Sequence, residues 1–77
     1  MQKYHVILDV EDIQDSRLHF NVEAESPEAA AAYVEKNAYV TIEPYDIESA
    51  SLGGDMRYTA VQTLDNHGCV IFENDLY

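Results

Sequence analysis

KYHVILDVEDIQDSRLHFNVEAE, residues 3–25, is the stretch on which the fold turns. Tyr4, Val6, Leu8 and Val10 alternate with Lys3, His5, Ile7 and Asp9, and Leu18, Phe20, Val22 and Ala24 alternate with Arg17, His19, Asn21, Glu23 and Glu25. A period of two marks strands with one buried face. With Glu11 to Asp15 as the connection, Val10 meets Ser16, Val6 meets Phe20 and Leu8 meets Leu18 on the inner face. The same register sets Asp9 against Arg17 and Lys3 against Glu23 outside, where opposite charges across strands contribute about 0.2–1 kcal/mol each. A slip of one residue would spoil both sets at once.

Downstream, Ser26-Pro27-Glu28 reads as a helix start. The serine hydroxyl caps, the proline occupies the first helical position, where its missing N–H costs nothing, and the acid meets the positive end of the helix dipole. The helix is expected to run through the alanines to about Asn37, with Ala30, Tyr33, Val34 and Ala38 inward and Glu28 and Glu35 on an outer ridge. Val40 to Glu43 resume an extended pattern, and Pro44 interrupts it before Tyr45 to Ala50, which suggests an edge strand or a bulge. Ser51 to Asp55 form a flexible connection, and Asp65-Asn66-His67-Gly68 a four-residue turn between strands near 56–64 and 69–73.

The expected fold is therefore α+β: a four- to five-stranded antiparallel sheet with one helix on one face, in the order β-β-α-β-β-β, forming a single domain over residues 1–77. Pairing Leu64 with Cys69 in the last hairpin puts Thr63, Val61, Val70 and Phe72 on one face and Ala60, Gln62, Leu64, Cys69 and Ile71 on the other. Both faces are substantially apolar, and one helix covers only one of them. Gln62, Leu64, Cys69 and Ile71 are thus candidates for a homodimer interface.

Composition narrows the function. The chain has 77 residues, 15 acidic side chains against four basic ones and a formal net charge of −11. Solubility needs a charge of magnitude only about 2–8, so the surplus points to a cationic partner or a saline milieu. A hydrophobic content of 47% is too high for a disordered acidic tail. A single cysteine, Cys69, allows no internal disulfide and fits a reducing compartment. No secretory signal pattern and no apolar run of about 20 residues is visible, so a cytoplasmic protein without membrane association is expected.

The side chains offer little chemistry. His5 and His19 fall diagonal to each other on the outer face, where outward polar filler is the favoured reading, and His67 sits in a turn beside Asp65. Cys69 lacks the electropositive setting a nucleophile needs. Asp9, Glu11, Asp12 and Asp15 crowd the first hairpin loop, but their spacing matches no EF-hand and lacks its glycine. No phosphate-binding or dinucleotide-binding glycine motif is present, and the charge disfavours direct nucleic-acid binding. No enzyme activity, cofactor or metal is expected.

An acidic strand end, VEAES, followed by a SPEAAAAYVEK helix and a return strand, covers Phe20 to Ile42 of a short acidic chain. It resembles small phage-encoded inhibitors of the anti-CRISPR and DNA-mimic type. These share no sequence motif, so the likeness assigns no residue a role. It implies stoichiometric blocking of a nucleic-acid-binding surface without turnover. The partner would be a basic nucleic-acid-binding protein, such as a CRISPR effector subunit, in the cytoplasm of an infected or host bacterial cell. Candidate contacts are Glu11, Asp12, Asp15, Glu23, Glu25, Glu28 and Glu35. The alternative is a small homodimeric assembly domain using the apolar face of its C-terminal hairpin.

Overall fold

The computed structural model describes residues 1–11, 15–48 and 57–76. Asp12 and the Ser51 to Asp55 connection lie outside these described residues, and Asp15 enters only through its backbone. The elements are β1 (Gln2–Glu11), β2 (Asp15–Ala24), α1 (Pro27–Asn37), β3 (Asp46–Glu48), β4 (Arg57–Leu64) and β5 (Val70–Asp75). The five strands form one antiparallel sheet in the order β3-β2-β1-β4-β5.

The first hairpin adopts the register that the alternation demands. Val6 pairs with Phe20, Leu8 with Leu18, Asp9 with Arg17 and Lys3 with Glu23. Val6, Leu8, Val10, Leu18 and Phe20 are buried on the inner face, and Arg17 Nε lies 3.2 Å from Asp9 Oδ1 on the other. Partly exposed, that ion pair contributes little. The apolar face carries the stability.

α1 covers that face, packing across β1, β2, β4 and β5. Ser26 caps it, its Oγ accepting the Ala29 N–H at 3.1 Å, and Pro27 opens the first turn. Buried Thr63 on β4 ties sheet to helix by donating its hydroxyl to the Pro27 carbonyl at 2.9 Å. Ala30, Ala31, Val34 and Ala38 are buried, but Tyr33, expected inward, is 42% exposed. At 3.6 residues per turn it lies about 110° from the centre of the buried stripe, and Ala31 takes the inward place.

Val40 to Glu43, expected to resume an extended strand, curl instead. Asn37 and Val40 bound a turn closed by Val40 N–H to Asn37 O at 3.0 Å, with Tyr39 at φ 63°. Asn37 O also accepts from Thr41 and Ile42, so the helix end satisfies its own carbonyls and leaves Val40 81% exposed. Pairing resumes beyond Pro44, where Tyr45 N–H donates to His19 O at 2.9 Å and β3 forms the sheet edge beside β2. β3 makes no packing contact with α1, and Ile47, on the helix side by register, stays 44% exposed.

The last hairpin departs from the expected register. Asp65 N–H bonds Cys69 O at 2.9 Å and Gly68 N–H bonds Asp65 O at 3.1 Å, with Gly68 at φ 81°. The loop proper is Asn66-His67-Gly68, a three-residue connection ending in a left-handed glycine. It closes on Asp65 and Cys69, so Leu64 pairs with Val70 and not with Cys69. An irregularity between Thr63 and Leu64 then pairs Thr63 with Phe72, absorbing Ile71 as the extra residue. Val70, expected beside Thr63, pairs with Leu64 and is 52% exposed.

Candidate functional site

The helix leaves the other face of the sheet open, and the strand registers place its side chains in rows. One row reads Asp46, His19, Ile7, Gln62, Glu73 from edge to edge; the next reads Glu48, Arg17, Asp9, Ala60, Asp75. Both rows end in exposed carboxylates on β3 and β5. Four inter-strand steps separate the two edges, about 19 Å, and the two acids along either edge stand about 6.7 Å apart along the strand. Gln62 Nε2 donates to Glu73 Oε2 at 2.7 Å, holding one of these carboxylates in place.

The acids singled out from the sequence are not gathered in one patch. Glu11 and Glu23 are exposed on the open face at its two ends, Glu11 paired through the backbone with Asp15 and with Arg57, Glu23 with Lys3. From Asp15 to Glu23 the strand runs about 27 Å. Glu25 is exposed in the bend after β2, and Glu28 and Glu35 are exposed on α1, across the sheet from the open face. Asp46, Glu48, Glu73 and Asp75 complete the acidic rim, and the sequence reading had not singled them out. Their signal was present: Asp46 and Glu48, like Glu73 and Asp75, are acids two apart in extended segments.

Toward one corner the rim gives way to apolar side chains. Leu64 and its partner Val70 adjoin Ile71, with Val70 52% and Ile71 44% exposed, and Cys69 exposed beside them. Gln62, Leu64, Cys69 and Ile71 belong to one hairpin, but Leu64 pairs with Val70 in place of Cys69 and Ile71 falls at the irregularity, so the shared face expected from a Leu64–Cys69 pairing does not form. β4 pairs with β1 only from His5 onward, leaving the start of β1 without a neighbour on that side. A concavity of about 360 Å³ results, lined by Lys3, Tyr4, His5, Asn21 and Leu64 and by Asp65, Asn66 and Gly68 of the turn. Asp65 Oδ1 accepts the backbone N–H groups of Cys69 at 2.9 Å and His67 at 2.8 Å, and these bonds hold its pKa below the ordinary carboxylate value.

Near the β3 edge, His5 and His19, read from the sequence as separate polar filler, converge. His5 Nε2 lies 2.9 Å from His19 Nδ1, Tyr45 Oη lies 2.9 Å from His5 Nδ1, and His19 Nε2 lies 3.4 Å from Glu48 Oε1. One set of neutral tautomers carries the two bonds: Tyr45 donates to His5 and His5 to His19, while buried His19 Nε2, 3.4 Å from Glu48 Oε1, makes no hydrogen bond. His19 is only 9% exposed. Burial, and then the charge of His19, push the His5 pKa below its ordinary value, opposed by a hydrogen bond with the Asn21 side chain that favours the protonated ring. Tyr45 and Glu48 reach this place because β3 and the residue before it pair with β2; alternation alone sets Tyr45 with Ile47, on the face away from Glu48, so it carried no signal for their meeting.

Among the described residues no three His, Cys, Asp or Glu side chains are grouped as a metal cage, and no helix is long and apolar enough to cross a membrane. Compared with known protein families, characterised proteins and solved structures, the chain matches none.

Proposed function

We propose that this protein is a non-enzymatic inhibitor whose acidic open sheet face occupies the basic nucleic-acid-binding surface of a target protein, of the anti-CRISPR or other anti-defence type. One observation carries the reading: a five-stranded face rimmed on both edges by exposed carboxylates, within a chain of net charge −11. Acids about 6.7 Å apart along a strand have a spacing comparable to successive phosphates along a nucleic-acid strand. Held by the sheet, they lose little freedom on docking, and the long-range field speeds encounter with a cationic groove. Of the acids first singled out, Glu11 and Glu23 belong to this face, and Asp46, Glu48, Glu73 and Asp75 join them; Glu28 and Glu35 do not.

The test is binding to purified CRISPR effector complexes and other basic nucleic-acid-handling proteins at low and high salt, with duplex DNA as competitor. The reading expects binding that falls steeply with salt and yields to DNA. Binding that is indifferent to salt, or that coexists with bound DNA, contradicts it.

A second reading rests on exposed Val70 and Ile71 beside half-buried Leu64, which suits a homodimer that buries this corner. Sedimentation of the wild type should then show a dimer that Ile71→Asp splits into monomers. A wild type that remains monomeric at high concentration rejects this second reading.

A further inference from the structure

The paired imidazoles stand close enough to share an ion, and the outer nitrogen of His5 already has a supporting partner. Ligating histidines commonly hand their outer N–H to a carboxylate or another oxygen, which fixes both tautomer and ring direction. Here Tyr45 Oη stands 2.9 Å from the outer nitrogen of His5, and Glu48 Oε1 stands 3.4 Å from that of His19. The two inner nitrogens face each other at 2.9 Å. We propose that His5 Nε2 and His19 Nδ1 together bind a first-row divalent ion of the zinc, copper or nickel type, with water completing the coordination.

The proton accounting permits this without loss of a proton from either ring. Without an ion, one N–H lies between the rings. When an ion enters, His5 moves that proton to Nδ1 and donates it to Tyr45 Oη, whose own hydroxyl hydrogen turns outward. His19 keeps its N–H on Nε2, directed at Glu48. Both inner lone pairs then point at the ion. Two nitrogens about 2.0–2.1 Å from a tetrahedral ion stand about 3.3 Å apart, so the pair must open by about 0.4 Å and turn from its end-to-end contact until both lone pairs meet beside the N···N line. His5, the more exposed ring, can supply that movement while buried His19 stays fixed.

Imidazole donors favour zinc, copper and nickel over calcium and magnesium. The setting concentrates cations, since Asp46 and Glu48 flank the pair on β3 and the whole chain is strongly anionic. Only two protein ligands converge, so binding belongs in the micromolar range and not with the much tighter closed structural zinc sites. The proposal is independent of the inhibitor reading, because it concerns an ion and needs no protein partner.

Calorimetric titration of the full chain with zinc chloride near neutral pH, joined to NMR of the imidazole nitrogens, tests it. The expected result is a single equivalent bound, with the His5 Nε2 and His19 Nδ1 resonances moving together. His5→Gln should weaken binding by about tenfold or more, while His67→Gln, in the turn after β4, should leave it unchanged, and calcium should not compete. No binding at millimolar zinc, or equal binding by wild type and His5→Gln, overturns the proposal. So do shifts at the imidazole of His67 in place of those of His5 and His19.

Discussion

Thr63 shows how much a single side chain does where sheet meets helix. It is fully buried, and its hydroxyl donates to the Pro27 carbonyl at 2.9 Å. Thr63→Val keeps the shape and deletes the donor, so urea unfolding should show a loss of about 1 kcal/mol. Asp65 acts through charge. Two backbone N–H groups hold its pKa below the ordinary carboxylate value, so its contribution is whole above that value and disappears as pH falls through the lowered one. Asp65→Ala should be less stable than wild type at neutral pH, with the gap closing in acid. A gap that persists unchanged in acid would mean the carboxylate's charge is irrelevant to the turn. At this scale the sequence was informative for pairs within one hairpin, such as Asp9 with Arg17 or Val6 with Phe20, because period-two alternation determines them. The convergence of His5 and His19 with Tyr45 and Glu48 was not legible: it needs a strand from far along the chain, and only three residues of it pair.

Among elements, the legible ones carried a strong local signal. The first hairpin had two alternating strands with matching charges, and α1 had a serine cap, proline and alanines. Val40 to Glu43 misled because β-branched residues suit a strand, whereas Asn37 O draws their N–H groups back to the helix end. The last hairpin misled through loop length. Counting four residues in the turn, where the backbone uses three with a left-handed glycine last, shifts the register by one and puts Val70 on the wrong face, until the irregularity at Ile71 returns Phe72 to the side of Thr63. Gly68→Ala isolates this point. No atom lies within 4 Å of where its Cβ would sit, so any cost arises from the backbone at φ +81°. Thermal unfolding should show a loss of about 1–2 kcal/mol. No loss would mean that the left-handed turn does not set the hairpin.

For the molecule as a whole, a chain of 77 residues with one helix can cover one side of its sheet and no more. The fold class follows from that economy and was legible throughout. The charge was legible as a quantity but not as a pattern, because which acids share a face depends on sheet order. With β3 and β5 outermost, carboxylates at Asp46, Glu48, Glu73 and Asp75 fall on the rim of the open face, while Glu28 and Glu35 stay with the helix. That division supports the central proposal, in which the open sheet face, and not acidity in general, is the surface for a cationic partner. Charge reversal on each face in turn tests it most directly, by comparing Glu73→Lys with Asp75→Lys against Glu28→Lys with Glu35→Lys for affinity toward a basic target that the wild type binds. Both double variants change the net charge equally. The account predicts that reversal on the open face weakens binding by about tenfold or more, about 1.4 kcal/mol, while reversal on the helix has a much smaller effect; equal losses, or a greater loss from the helix pair, would contradict it.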